Sequence, residues 1–183
     1  MRTFIAAHIT PTPELKQALD DLREIGGPVK PVADENLHIT LRFIGEIDEA
    51  LVPSVNEVLL RSVANQRPFE VLLSGLGVFP HAARPAIVWV GVRFAEPLTE
   101  IAAELEKGLV PLGIPAEERP FRPHLTLARV RARPPRELGT YLQQHEKTKY
   151  GTASIAELHL FRSELRPEGA KYTPLHTAAL KAE

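Results

Sequence analysis

Apolar and polar positions change period along the chain, and the changes mark the elements. Phe4 to Ile9 is a short apolar run that predicts a strand. Pro13 to Ile25 carries Leu15, Leu19 and Leu22 at helical spacing and stops at Gly26-Gly27, which predicts an amphipathic helix. Leu37 to Ile44 alternates and predicts a strand. Asp48 is placed to cap a second helix that runs to about Ala64, with Leu51, Val55, Val58 and Leu59 on one face. Phe69 to Val78 and Ala86 to Val92 predict strands around a Pro/Arg-rich turn. Pro97 opens a third helix that carries Ile101, Leu105 and Leu109, and His124 to Val130 predicts a strand. Pro134-Pro135 opens a fourth helix to about His145, and strands over Ser154–Phe161 and Thr173–Leu180 finish the chain.

The resulting order is strand, helix, strand, helix, strand, and then much the same again, with the halves meeting near residue 84. Short connections between alternating strands and helices point to an α+β or α/β fold. Periodicity leaves the strand pairing open.

Within this pattern one motif occurs twice. Leu37-His38-Ile39-Thr40-Leu41-Arg42-Phe43 and Pro123-His124-Leu125-Thr126-Leu127-Ala128-Arg129 both contain H-[IL]-T-L, 86 residues apart. On a strand, residues i and i+2 share a face. His38 and Thr40 therefore project together while Ile39 and Leu41 pack behind them, and His124 and Thr126 do the same. If the two strands meet, two imidazoles and two hydroxyls converge on one cleft. A neutral imidazole takes a proton from an attacking group while an imidazolium gives one to the leaving group, which suits in-line displacement at phosphorus. The threonines can donate hydrogen bonds to the non-bridging oxygens. No metal or other cofactor is needed for this scheme. His8-Ile9-Thr10 lacks the leucine and stands as a decoy. His8, His81, His145, His159 and His176 have no matched context, and Phe43, Trp89, Phe121 and Tyr172 read as core or rim residues.

Composition narrows the chemistry. Apolar residues are 44% and charged residues 25% of 183, as expected for a globular domain that buries a core. There are no cysteines, which excludes disulfides, cysteine-ligated metals and thiol catalysis. The formal net charge of −1 excludes coating of duplex DNA through overall charge. Local asymmetry changes that picture. Arg119, Arg122, Arg129, Arg131, Arg133 and Arg136 fall within 18 positions around the second motif, and Arg42 follows the first. Strand parity puts Arg42 on the face of His38. It turns Arg129 away from His124 unless a bulge or strand end re-aims it. The four-residue apolar run at the start is too short for a signal peptide, and no stretch reaches membrane-spanning length. A cytoplasmic protein without membrane attachment is expected.

Paired H-x-T-L motifs in a duplicated chain of this length resemble the 2H phosphoesterase superfamily. Within it they are most similar to the RNA 2′,3′-cyclic phosphodiesterase family, also called 2′-5′ RNA ligase or LigT-like. The resemblance spans Arg2-Thr3-Phe4-Ile5-Ala6, the block from His38 to Glu46, and the block from Pro123 to Arg129. It also takes in the late strand Leu160-Phe161-Arg162-Ser163-Glu164-Leu165, with Gly169 and Tyr172 after it. It implies one domain over residues 1–183, a bilobal α+β fold in which two antiparallel sheets face a central cleft with helices outside, and one motif from each lobe. The implied activity is hydrolysis of RNA 2′,3′-cyclic phosphate ends, tRNA fragments among them, to 2′-phosphomonoesters, with 2′-5′ RNA ligation in some members. Carried onto this chain, His38 is the proton donor, His124 the proton acceptor, and Thr40, Thr126, Arg129 and Arg42 hold phosphate. A monomer with no obligate protein partner is expected. Two other readings are an RNA-end-binding module with little turnover, and a phosphodiesterase for small cyclic nucleotides or 2′-5′ oligonucleotides.

Overall fold

The computed structural model describes residues 1–181. Thr12 caps helix α1 (Pro13–Ile25) by accepting a hydrogen bond from the Leu15 amide, 3.1 Å, and Gly26 at φ +65° ends it, so both boundaries fall where the sequence places them. Asp48 accepts from the Ala50 amide, but the segment it caps begins as a 3₁₀ turn before α2 (Val52–Val63). Pro97 lies in the first turn of α3 (Glu96–Leu109), and Pro135 precedes α4 (Arg136–Gln144).

Strands β1 (Arg2–His8), β3 (His38–Glu46), β4 (Phe69–Phe79), β5 (Ile87–Arg93) and β6 (His124–Val130) follow the hydrophobic pattern within two residues at each end. Two features depart from it. A three-residue strand, β2 (Val29–Pro31), pairs with β6, and it is too short to carry a period. The strand expected over Ser154–Phe161 is two strands, β7 (Lys149–Ile155) and β8 (Glu157–Arg166), which part at Ala156 and pair with different neighbours. β8 then forms a hairpin with β9 (Gly169–Ala179).

The fold is α+β with an antiparallel sheet system. Its strand path is β7-β4-β5-β6-β3-β1-β8-β9. The two four-stranded groups, β7-β4-β5-β6 and β3-β1-β8-β9, meet where Ile39 pairs with Leu125, so hydrogen bonding runs from one group into the other. Both ends of the chain contribute to the second group, so the groups in space are not the two halves along the sequence. Helices α2 and α3 pack together, α2 against β9 and α3 against β3; α1 packs against β7, β6 and α4. One buried apolar cluster includes Ile5, Leu19, Ile39, Leu59, Leu73, Leu105, Leu125 and Leu160, which joins helices and both strand groups. A second, smaller cluster of Phe4, Ala6 and Phe161, with Tyr172 packed against it, is separate from this core. Among the described residues no helix is long and apolar enough to cross a membrane.

Candidate active site

The pairing of Ile39 with Leu125 is the centre of the site. Both side chains are fully buried, so their neighbours on each strand point to the opposite face. Antiparallel register then sets His38 opposite Thr126 and Thr40 opposite His124. Side chains directly opposite in such a pair start from Cβ atoms about 4.5–5.5 Å apart. Two imidazoles and two hydroxyls thus share one small face, related by an approximate twofold between the central residues.

Each imidazole is held the same way. His38 Nδ1 lies 2.6 Å from the Asn36 carbonyl, and His124 Nδ1 lies 2.8 Å from the Arg122 carbonyl. A carbonyl only accepts, so each Nδ1 carries its proton and donates it. Each Nε2 is thereby left to face the cleft, as an acceptor when the ring is neutral and a donor when it is charged. Asn36 is in turn tied to β9, through its side-chain amide on the Ala170 carbonyl, 3.0 Å.

The surroundings of the two rings differ. His38 packs against Phe4, with ring centres 5.1 Å apart, and edge-on against Tyr172 at 5.2 Å. His124 meets Phe79 edge-on at 5.1 Å. Burial lowers the His38 pKa below the ordinary imidazole value. The Asn36 hydrogen bond opposes this, and the nearby positive charges of His8, Arg129 and His124 add to the lowering.

Beyond the motifs the sequence parity breaks in the same way on both strands. Ala6 pairs with Thr40 but Ile5 pairs with Arg42, so Leu41 is an extra residue in β3. Trp89 pairs with Thr126 but Val88 pairs with Ala128, so Leu127 is an extra residue in β6. The bulges turn Phe43 and Arg129 onto the histidine face, and turn Arg42 and Ala128 into the buried side. Both phosphate-contact expectations move accordingly. Arg129 is exposed and close enough to His38 to act on its proton affinity, so the bulge re-aims it toward the site.

Arg42 does the reverse and corrects the sequence expectation. Its side chain is only 6% exposed, and its nitrogens are committed to structure. Nε donates to Glu106 at 2.7 Å, one terminal nitrogen to the Phe43 carbonyl at 2.6 Å, and the other to the Pro115 carbonyl at 2.6 Å. Burial raises the Glu106 carboxyl, but hydrogen bonds from Arg42 and the Glu117 amide outweigh it and hold the group below the usual carboxylate range. Arg42 ties β3 to α3 and the following loop, and all three of its nitrogens are engaged in those contacts.

Two cavities flank the motifs. The larger, about 1130 Å³, is bounded by the β2–β6 pair and the β8–β9 hairpin, and seven basic residues line it against two acidic ones. Arg129 and Arg131 belong to it, with Lys30 opposite Arg129 on β2. The smaller, about 440 Å³, holds Thr40, Phe43, Phe121 and His124, with Arg119 and Arg122 beside them. Arg133 and Arg136 line neither. Sequence reasoning missed Lys30, because nothing marked its short strand. It also missed Asn36, whose only signal was a position two residues before a motif histidine. His8 sits beside His38 across the β1–β3 ladder, although its motif context is a decoy. His159, on β8, is bonded to Thr177 at 2.9 Å and pairs across the ladder with Ala6, the β1 partner of Thr40.

The sequence model of the 2′-5′ RNA ligase superfamily matches residues 11–167, a span that contains both motifs. The chain belongs to that superfamily. A relative from Aeropyrum pernix named RNA 2′,3′-cyclic phosphodiesterase is 38% identical over 88% of this chain and 92% of its own. The crystal structure of a Thermus thermophilus protein superposes with a TM-score of 0.84 at 32% identity, and covers all of both chains. Escherichia coli LigT complexed with 3′-AMP superposes at 0.75 with 27% identity, over 98% of this chain and 97% of that one. The resemblance to the 2H phosphoesterases and the expected fold class are borne out.

Proposed function

We propose that the chain hydrolyses RNA 2′,3′-cyclic phosphate ends to 2′-phosphomonoesters, as one domain built of two pseudo-symmetric lobes, with His38 as proton donor and His124 as proton acceptor. The observation that carries the reading is the Ile39–Leu125 pair, which brings two equally oriented imidazoles to one face. Names carried by relatives that match most of the chain support the substrate class.

Water attacks phosphorus on one side, and His124 Nε2 takes its proton. The bond from phosphorus to O3′ breaks on the other side, and His38 Nε2 supplies the proton to that oxygen. Thr40 and Thr126 donate to the non-bridging oxygens, whose charge grows in the transition state. Arg129 and Lys30 add a positive field at the mouth of the large cavity, where the RNA strand leading to the cyclic end lies. Burial disfavours the charged form of His38 in the free protein. A bound phosphate anion favours its charged form and offsets that burial.

The test is product analysis on a short RNA ending in a 2′,3′-cyclic phosphate, run with and without a chelator. The expected product is the 2′-phosphomonoester in both. His38→Ala and His124→Ala are each expected to lower the rate by about 10²–10⁴-fold, as loss of a general acid or base does. Binding of the RNA without turnover, or full activity lacking either histidine, would overturn the reading.

A further inference from the structure

Each motif histidine is oriented by the carbonyl two residues before it, but the two carbonyls are fixed by different means. Pro123 stands between Arg122 and His124. Its ring locks its own φ and confines the residue before it to extended conformations, so the covalent chain itself restrains the Arg122 carbonyl. Leu37 stands in the same place before His38 and imposes no such restriction. Asn36 ends a three-residue 3₁₀ turn, Asp34–Asn36, that buries none of its residues and has no side-chain cap. Packing of the turn therefore does little to fix the Asn36 carbonyl. The Asn36 side chain supplies the restraint instead, because Nδ2 donates to the Ala170 carbonyl of β9 at 3.0 Å.

The same stretch of β9 touches the ring. Tyr172, two residues after Ala170, meets His38 edge-on at 5.2 Å. β9 thus holds His38 at two points, through the Asn36 carbonyl on Nδ1 and through Tyr172 against the ring face.

We propose that Asn36 is the positioning residue of the proton donor: its side-chain amide pins to β9 the carbonyl that orients His38, and so aims Nε2 at the leaving O3′. The proposal rests on the assignment of His38 as donor given above. A general acid works only within hydrogen-bond reach of the oxygen it protonates. An imidazole whose Nδ1–H is bonded to a fixed carbonyl presents Nε2 in one direction, and a carbonyl that wanders lets that direction wander. The arrangement also gives the β8–β9 hairpin a part in the chemistry. Arg166 and Lys171 of that hairpin line the large basic cavity, so RNA held there rests on the element that steadies the acid.

The test compares two RNA substrates, one with an ordinary 2′,3′-cyclic phosphate and one with sulfur in place of the 3′ oxygen. Sulfur leaves as a thiolate and needs no proton, so the second substrate bypasses the general acid. Rates are taken per folded molecule. Asn36→Ala is expected to lower kcat on the oxygen substrate about tenfold, the rate equivalent of one hydrogen bond. KM is expected to stay within about twofold, since the lost contact acts on the transition state rather than on binding. On the sulfur substrate the same variant is expected to match the unaltered chain. Asn36→Gln, which keeps an amide donor, is expected to regain part of the lost rate. An equal loss on both substrates, a change confined to KM, or an Asn36→Gln variant no better than Asn36→Ala would overturn the proposal. The histidine variants check the underlying reading separately. His38→Ala is expected to recover on the sulfur substrate and His124→Ala is not. The reverse pattern would exchange donor and acceptor, and the proposal would fall with that assignment.

Discussion

Replacing Arg42 by methionine separates a structural arginine from a phosphate ligand. Methionine keeps most of the buried stem and removes the guanidinium. Three sets of contacts are lost. The carbonyls of Phe43 and Pro115 each lose a donor in a partly buried setting, at about 1 kcal/mol apiece. Glu106 loses its partner at 2.7 Å, but it is 31% exposed and water can take over part of the role. That loss is about 1 kcal/mol rather than the 3–5 of a fully buried pair. Glu117, at 3.2 Å and 48% exposed, adds little. The expected destabilisation is about 3 kcal/mol, which for a chain of this size lowers Tm by about 6–12 °C. The assay is thermal and urea unfolding, beside kcat/KM on a cyclic-phosphate RNA measured well below the lowered Tm. Activity per folded molecule is expected to stay within about twofold. Glu106→Gln, which keeps an acceptor for Nε, is expected to cost about 1 kcal/mol. A variant Arg42→Met of unchanged stability and a hundredfold lower rate would refute the structural assignment and return Arg42 to the phosphate.

Three other outcomes follow from the same geometry. The pH dependence of kcat/KM should be bell-shaped, with the His38 limb on the acid side of the ordinary imidazole value of about 6.5. Tyr172→Ala opens that ring to water and should move the limb upward; an unmoved limb would mean that burial is not the cause. The same lowering has a stability consequence. Between the ordinary value and the lowered one the unfolded chain binds the His38 proton more readily, so this group's contribution is present above about pH 6.5 and is lost as pH falls through its folded value. Arg129→Gln should raise KM about tenfold, by loss of a charge-assisted contact, and should shift the His38 limb upward as well. Both effects are read from one set of pH–rate curves. Gly77→Ala should destabilise by about 1–3 kcal/mol, because a Cβ there falls inside the Trp89 ring; unchanged urea unfolding would show that the indole can move aside.

Much of this molecule is written locally. The spacing of Leu15, Leu19 and Leu22, the Thr12 cap and the Gly26 stop define α1 before any tertiary contact is considered. The alternation around His38 and His124 places each histidine with its threonine and buries the residues between them, because a strand has a period of two. The repetition of that block, with no cysteine available for other chemistry, was enough to single out two histidines and to state what a pair of them could do. What it could not yield was anything that depends on a partner strand. The break between β7 and β8 at Ala156 exists because the two segments pair with different neighbours. β2 is three residues held by β6, with no pattern of its own. The fate of the two arginines after the motifs turned on a single extra residue in each ladder. Counting positions put Arg42 in the site and Arg129 outside it, and the bulges at Leu41 and Leu127 exchanged them. Sequence alone singled out the two histidine–threonine pairs as candidates for the chemistry, since residue type and strand period are local properties. Which of them meet, and which wall of the cleft is basic and which aromatic, was decided only by the tertiary structure, since register is a property of two strands and not of one.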